Sequence, residues 1–135
     1  MKPALAALLA AIVFSAAAHA ADRPAMVIQV SDADPGKWSL ALANARNLQT
    51  EFGQDGVALE IVVYGPGVRM LTADSEFAGR VADTVAAGIP VVACENTLRA
   101  LKLEHADMHA GIGYVPVGAG EILRLQQKGW AYLKP

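Results

Sequence analysis

The sequence predicts an α/β protein, a three-layer α/β/α sandwich built on a mainly parallel five-stranded sheet. Two observations carry this. Short apolar runs alternate with longer amphipathic segments along the chain. The runs themselves are continuously apolar, as expected of strands covered on both faces. After residue 25 there is no repeat, low-complexity linker or shift in composition, so residues 21–135 read as a single domain.

Met26-Val27-Ile28-Gln29-Val30 reads as the first strand, and Ser31 to Gly36 as a loop in which Asp34 is placed to cap the next helix, with Pro35 in its first turn. That helix, roughly Lys37 to Phe52, sets Trp38, Leu42, Ala45, Leu48 and Phe52 along one face at helical spacing. Val57 to Tyr64 is a second apolar strand in which Glu60 is the only charge. Gly65 to Met70 reads as a tight turn, followed by a helix over about Ser75 to Ala87 with Phe77, Val81 and Val85 four apart, ended by Gly88 and Pro90. Pro90 to Cys94 is the third strand, leading to a short helix around Asn96 to Leu103. Gly113 to Val117 is the fourth, before a helix over about Gly120 to Lys128, and Trp130 to Leu133 closes the chain as an edge strand.

The first twenty residues, MKPALAALLAAIVFSAAAHA, combine a basic start at Lys2, an apolar stretch and the small-residue end Ala18-His19-Ala20. This is the pattern of a secretory signal peptide over residues 1–20, and the apolar part is short for a membrane span. The expected localisation is therefore the bacterial periplasm, with no stable membrane anchor after cleavage. Loss of Lys2 changes the formal charge from −2 to −3. No basic block points to nucleic acid as a partner.

In an open parallel sheet, ligands bind beyond the carboxyl ends of the strands. Four loops should gather there: Ser31 to Gly36, Gly65 to Arg69, Cys94 to Thr97, and Gly118 to Gly120. The single cysteine, Cys94, falls on this rim at the junction of a strand and a helix. Backbone N–H groups and the helix dipole stabilise a thiolate in such a place. Asn96 and Thr97 add donors, Arg69 would add charge if its loop is adjacent, and Glu95 would oppose the thiolate if it pointed inward. An inert, buried cysteine is the competing reading. Gly65, Gly67 and Gly118 line the rim, but neither glycine loop has the ending of a phosphate-binding loop.

A second candidate is His105-Ala106-Asp107-Met108-His109. Two histidines four apart on a helix share a face, and with Met108 they could offer a soft site for copper or zinc. Without a second cysteine or an HExxH pattern, a metal is not favoured there.

The segments Val62-Val63-Tyr64-Gly65-Pro66-Gly67-Val68, Ala87-Gly88-Ile89-Pro90-Val91, Ala93-Cys94-Glu95-Asn96-Thr97, Gly113-Tyr114-Val115-Pro116-Val117-Gly118 with Glu121, and Gln127-Lys128-Gly129-Trp130-Ala131-Tyr132 resemble, in order and spacing, the DsrE/DsrF-like family. The export signal would place the chain in an exported subgroup. The resemblance implies a DsrE-like fold of five mainly parallel strands, assembled as a homotrimer or homohexamer. It also implies a sulfur-relay role in which Cys94, matching the family's strand-end cysteine, carries sulfur as a persulfide between donor and acceptor proteins. Such a protein would be a sulfur carrier, or sulfurtransferase-like if it turns over, and would need no cofactor. Where catalytic members often have a Gly-containing stretch after the cysteine, this chain has Glu95-Asn96-Thr97. The alternative from a different class is a non-catalytic oligomeric module binding a small molecule or soft metal at the same rim.

Overall fold

A computed structural model describes residues 23–135; the signal peptide expected over residues 1–20 lies outside the described residues. Five strands, β1 (Ala25–Val30), β2 (Ala58–Val63), β3 (Val91–Cys94), β4 (Gly113–Val115) and β5 (Ala131–Leu133), form one sheet in the order β4-β3-β2-β1-β5. Every pairing is parallel. The register aligns Val30 with Val63, Val63 with Ala93, and Ala93 with Tyr114. Ser31, Tyr64, Cys94 and Val115 thus stand one residue further on, along the carboxyl edge.

Four helices, α1 (Pro35–Phe52), α2 (Ala78–Ala86), α3 (Glu95–Leu101) and α4 (Gly118–Gln127), connect the strands. From β1 to β4 the chain moves stepwise across the sheet, so right-handed crossovers place α1, α2 and α3 on one face. The return from β4 to β5 runs the other way, which puts α4 on the opposite face. The packing agrees with this. Ile28, Ile61, Val63 and Ala93 join Trp38, Leu42, Val81 and Leu98 in the larger core, whereas Val27 and Val62 pack with Ile122 and Leu125 of α4 in a smaller one. Side chains alternate faces along a strand. Ala93 lies in the larger core, so Cys94 projects towards α4.

Local chemistry sets the boundaries. Asp34 caps α1 by accepting from Gly36 N at 2.8 Å and Lys37 N at 3.3 Å. Trp38 Nε1 donates to Asp32 O at 2.6 Å, and its ring meets Phe77 edge-on with centroids 5.3 Å apart. Pro116 cannot donate to a ladder, and β4 ends at Val115. No helix among the described residues is long and apolar enough to cross a membrane.

Four local expectations need correction. Phe52 is 45% exposed and not part of the core face, because it occupies the last turn of α1, where the chain turns away at Gly53. The turn expected over Gly65 to Met70 is a 3-10 helix, Gly65–Leu71, whose Val68, Met70 and Leu71 are fully buried. The second helix begins at Ala78, not Ser75, because Ser75 makes a turn of its own, its O and Oγ accepting from Ala78 N and Phe77 N. The His105-to-His109 segment is a single 3-10 turn, His105–Asp107, and Met108 leaves it in extended conformation to bridge Thr72.

The cap and the tight packing of the rim give a stability prediction. A Cβ on Gly67 would lie 2.8 Å from Val30 O, a backbone atom that cannot swing aside. Gly67→Ala is expected to destabilise by about 1–3 kcal/mol, as overpacking does. Asp34→Ala should cost about 1 kcal/mol through the lost cap. Urea unfolding of both variants measures this, and an unchanged midpoint for Gly67→Ala would contradict the close approach.

Candidate functional site

The site is built around Cys94 Sγ, at the end of β3 and immediately before α3. The residue is 4% exposed and is the only cysteine in the chain. Its surroundings are polar in a directed way. Burial pushes the thiol pKa up, but the backbone N–H groups of Gly118, Thr97 and Asn96, with the Thr97 hydroxyl, pull it down, and the net direction is below the ordinary value of 9.0. Gly118 opens α4, so the positive end of that ten-residue helix also faces the sulfur.

The loops that supply these donors hold one another. Gly65 N donates to Thr97 Oγ1 at 2.9 Å, Gly67 N donates to Ser31 O at 3.2 Å, and Asn96 N donates to Pro116 O at 3.3 Å. Thr97 Oγ1, already accepting from Gly65, is left to donate its proton towards the sulfur. Gly65 adopts φ 56°, a left-handed conformation suited to glycine.

Of the sequence-predicted residues, Cys94, Asn96, Thr97 and Gly118 meet at the thiol. Gly65 and Gly67 act one step out, holding Thr97 and the β1 loop. Asn96 contributes through its backbone, since its side chain accepts from Arg99 Nη2. Arg69 is not among the groups that shift the thiol; it is exposed and lines an apolar depression of about 320 Å³ with Thr97, Pro66 and Leu101.

His105, Met108 and His109 do not converge. His105 Nε2 lies 2.7 Å from Glu95 Oε1, and its ring stacks on Tyr114. Met108 is buried in the larger core, and His109 Nδ1 accepts from Gly111 N at 3.0 Å. Among the described residues no group of three or more His, Cys, Asp or Glu side chains is arranged to hold a metal ion. Sequence reasoning missed the Glu95–His105–Tyr114 contact. Nothing in the spacing signals it, because it depends on β4 lying beside β3.

With this geometry in view, the sequence model of the DsrE/DsrF-like family matches residues 10–135. The chain belongs to the DsrE/DsrF-like family. The family associates it with sulfur relay. Its fold is similar to that of a protein of unknown function, MTH1491 from Methanobacterium thermoautotrophicum, at 36% identity and a TM-score of 0.79, covering 83% of this chain and 99% of that one. The conserved protein of unknown function BT1422 from Bacteroides thetaiotaomicron is 13% identical with a TM-score of 0.69, covering 82% and 94%. The ychN protein from E. coli is 15% identical with a TM-score of 0.67, covering 83% and 99%. These two show the shared fold alone. No curated protein matches the chain.

Two predictions follow from the donor set. Thr97→Val removes the hydroxyl donor, so the thiol pKa should rise and alkylation of Cys94 at pH 7 should slow severalfold; an unchanged rate would remove Thr97 from the donor set. The second concerns linkage. The folded thiol titrates below its ordinary value, so between the two the unfolded chain binds more protons and stability rises with pH. The stability difference between wild type and Cys94→Ser should therefore grow as pH rises to about 9.0, the ordinary value, and lapse as pH falls through the folded titration. Urea titrations of both proteins across pH 6 to 9 would test this, a constant difference counting against it.

Proposed function

We propose that this chain is a periplasmic sulfur-handling protein in which Cys94 carries sulfane sulfur as a persulfide within a relay. The observation that carries the reading is the ring of N–H and O–H donors on a strand-end thiol in a DsrE/DsrF-like fold. The Cys94 thiolate attacks the outer sulfur of a donor persulfide, R–S–SH. The new S–S bond forms at Cys94, the donor S–S bond breaks, and the donor leaves as its thiolate. Discharge is the same step reversed, with an acceptor thiolate attacking the outer sulfur of Cys94–S–SH. Neither step needs an outside oxidant or a cofactor.

Export to the periplasm and assembly as a homotrimer or homohexamer belong to the same proposal. The signal-like first twenty residues support the first, and the exposed apolar side chains Leu40, Val117, Leu123 and Tyr132 support the second. If turnover occurs, it is that of a sulfurtransferase.

The deciding experiment is native and denaturing mass spectrometry of mature protein recovered from periplasm without reductant. A sulfur-sized, reductant-labile addition is expected on Cys94, absent in Cys94→Ser, on a trimeric or hexameric assembly. Loading that persists in Cys94→Ser would sink the carrier role, and so would wild-type protein that stays unmodified after incubation with an organic persulfide.

A further inference from the structure

Glu95 follows Cys94 directly and is the only acidic residue of α3. A carboxylate there threatens the thiolate twice, as a like charge and as a competitor for the N–H of Thr97. It is held elsewhere. Its Oε1 lies 2.7 Å from His105 Nε2. The imidazole is itself fixed, stacked face to face on Tyr114 with centroids 3.6 Å apart and planes 8° from parallel. Tyr114 pairs in register with Ala93, the residue before Cys94.

Three elements therefore converge on one carboxylate. The α3 helix supplies it, the 3-10 turn supplies the imidazole, and β4 supplies the platform. Burial first, and the Glu95 charge second, push the Tyr114 phenol above its ordinary range. The other polar groups nearby have their own partners: Arg99 donates to Asn96 Oδ1, and Asp107 Oδ2 accepts from Glu104 N at 2.8 Å.

We propose that His105 is a positioning residue for the thiol, holding the Glu95 carboxylate beside the His105–Tyr114 stack and so keeping its charge off Cys94 and the Thr97 N–H free for the sulfur. This rests on Cys94 being the reactive group proposed above, but it concerns the thiolate and not the cargo. The His105 and Glu95 side chains are 57% and 28% exposed, and a pair so open to water adds little to stability. Its effect falls on the neighbouring charge.

With one cysteine in the chain, the rate of iodoacetamide alkylation against pH titrates Cys94 alone. In His105→Ala the midpoint should move to higher pH and the neutral rate should fall about threefold, the size expected of a partly solvated like charge at close range. His105→Leu, which still covers Tyr114 but has no donor, should match it, so the test does not depend on one truncation. His105→Gln keeps a donor for Glu95 and should keep the wild-type midpoint. The double variant Glu95→Gln with His105→Ala should return to the Glu95→Gln profile.

A His105→Ala or His105→Leu profile that superimposes on wild type, in folded protein, overturns the proposal. So does a double variant as slow as His105→Ala. The alkylation profile and sulfur loading can fail independently: absent loading with these profiles sinks the relay and keeps the positioning role, and normal loading with unmoved profiles does the reverse.

Discussion

Parallel pairing of all five strands is the constraint from which the rest of the molecule follows. It sends every strand's carboxyl end to the same edge. It also forces each connection to cross the sheet, so that every strand end from β1 to β4 leads into a helical segment, and α4 must return over the face that α1 to α3 leave open. The side chain of Cys94 projects to that second face. This is why Gly118, distant in sequence, delivers its N–H to the sulfur, while Asn96 and Thr97 deliver theirs from the chain just beyond it.

The electrostatics of the thiol is a contest between burial and directed dipoles. Burial is the largest single influence and disfavours the thiolate; four weaker donors oppose it and together prevail. Their alignment is a property of the rim and not of any one residue. Thr97 illustrates the dependence, since its hydroxyl can point at the sulfur because the Gly65 N–H occupies its acceptor side. The rim is thus cooperative: moving the Gly65 loop would disturb a charge at the end of β3, two strands from β1, where Gly67 is anchored on Ser31 O.

Much of this was legible in the sequence. Continuous apolar runs gave the parallel sheet, Asp34-Pro35 the start of α1, and the strand-to-helix junction the place of Cys94. Two of the misreadings share a cause. Gly65–Leu71 and His105–Asp107 are 3-10 segments, too short for a hydrophobic period to declare itself, and their form is set by what they pack against. Met108 looked like a ligand beside two histidines, but its extended backbone bridges Thr72 and its side chain fills the larger core. Arg69 looked like a thiolate partner because loop adjacency is visible in sequence, whereas the direction of a long side chain is not. Glu95 posed a question of orientation, and only the β3–β4 register could answer it.

The same donor set bears on both halves of the sulfur transfer proposed for Cys94. In loading, Cys94 is the nucleophile, and a lowered pKa raises the thiolate fraction while lowering intrinsic nucleophilicity, so the gain is partial. In discharge, the Cys94 thiolate is the leaving group, and a lower pKa speeds departure without that compensation. A ring of donors around the sulfur therefore favours release of cargo more than capture. Burial adds a separate constraint, since a sulfur only 4% accessible admits a slender persulfide more readily than a bulky disulfide that would exchange with it to leave a mixed disulfide. A thiol built this way suits a carrier that is loaded by a strong donor and gives its sulfur up readily.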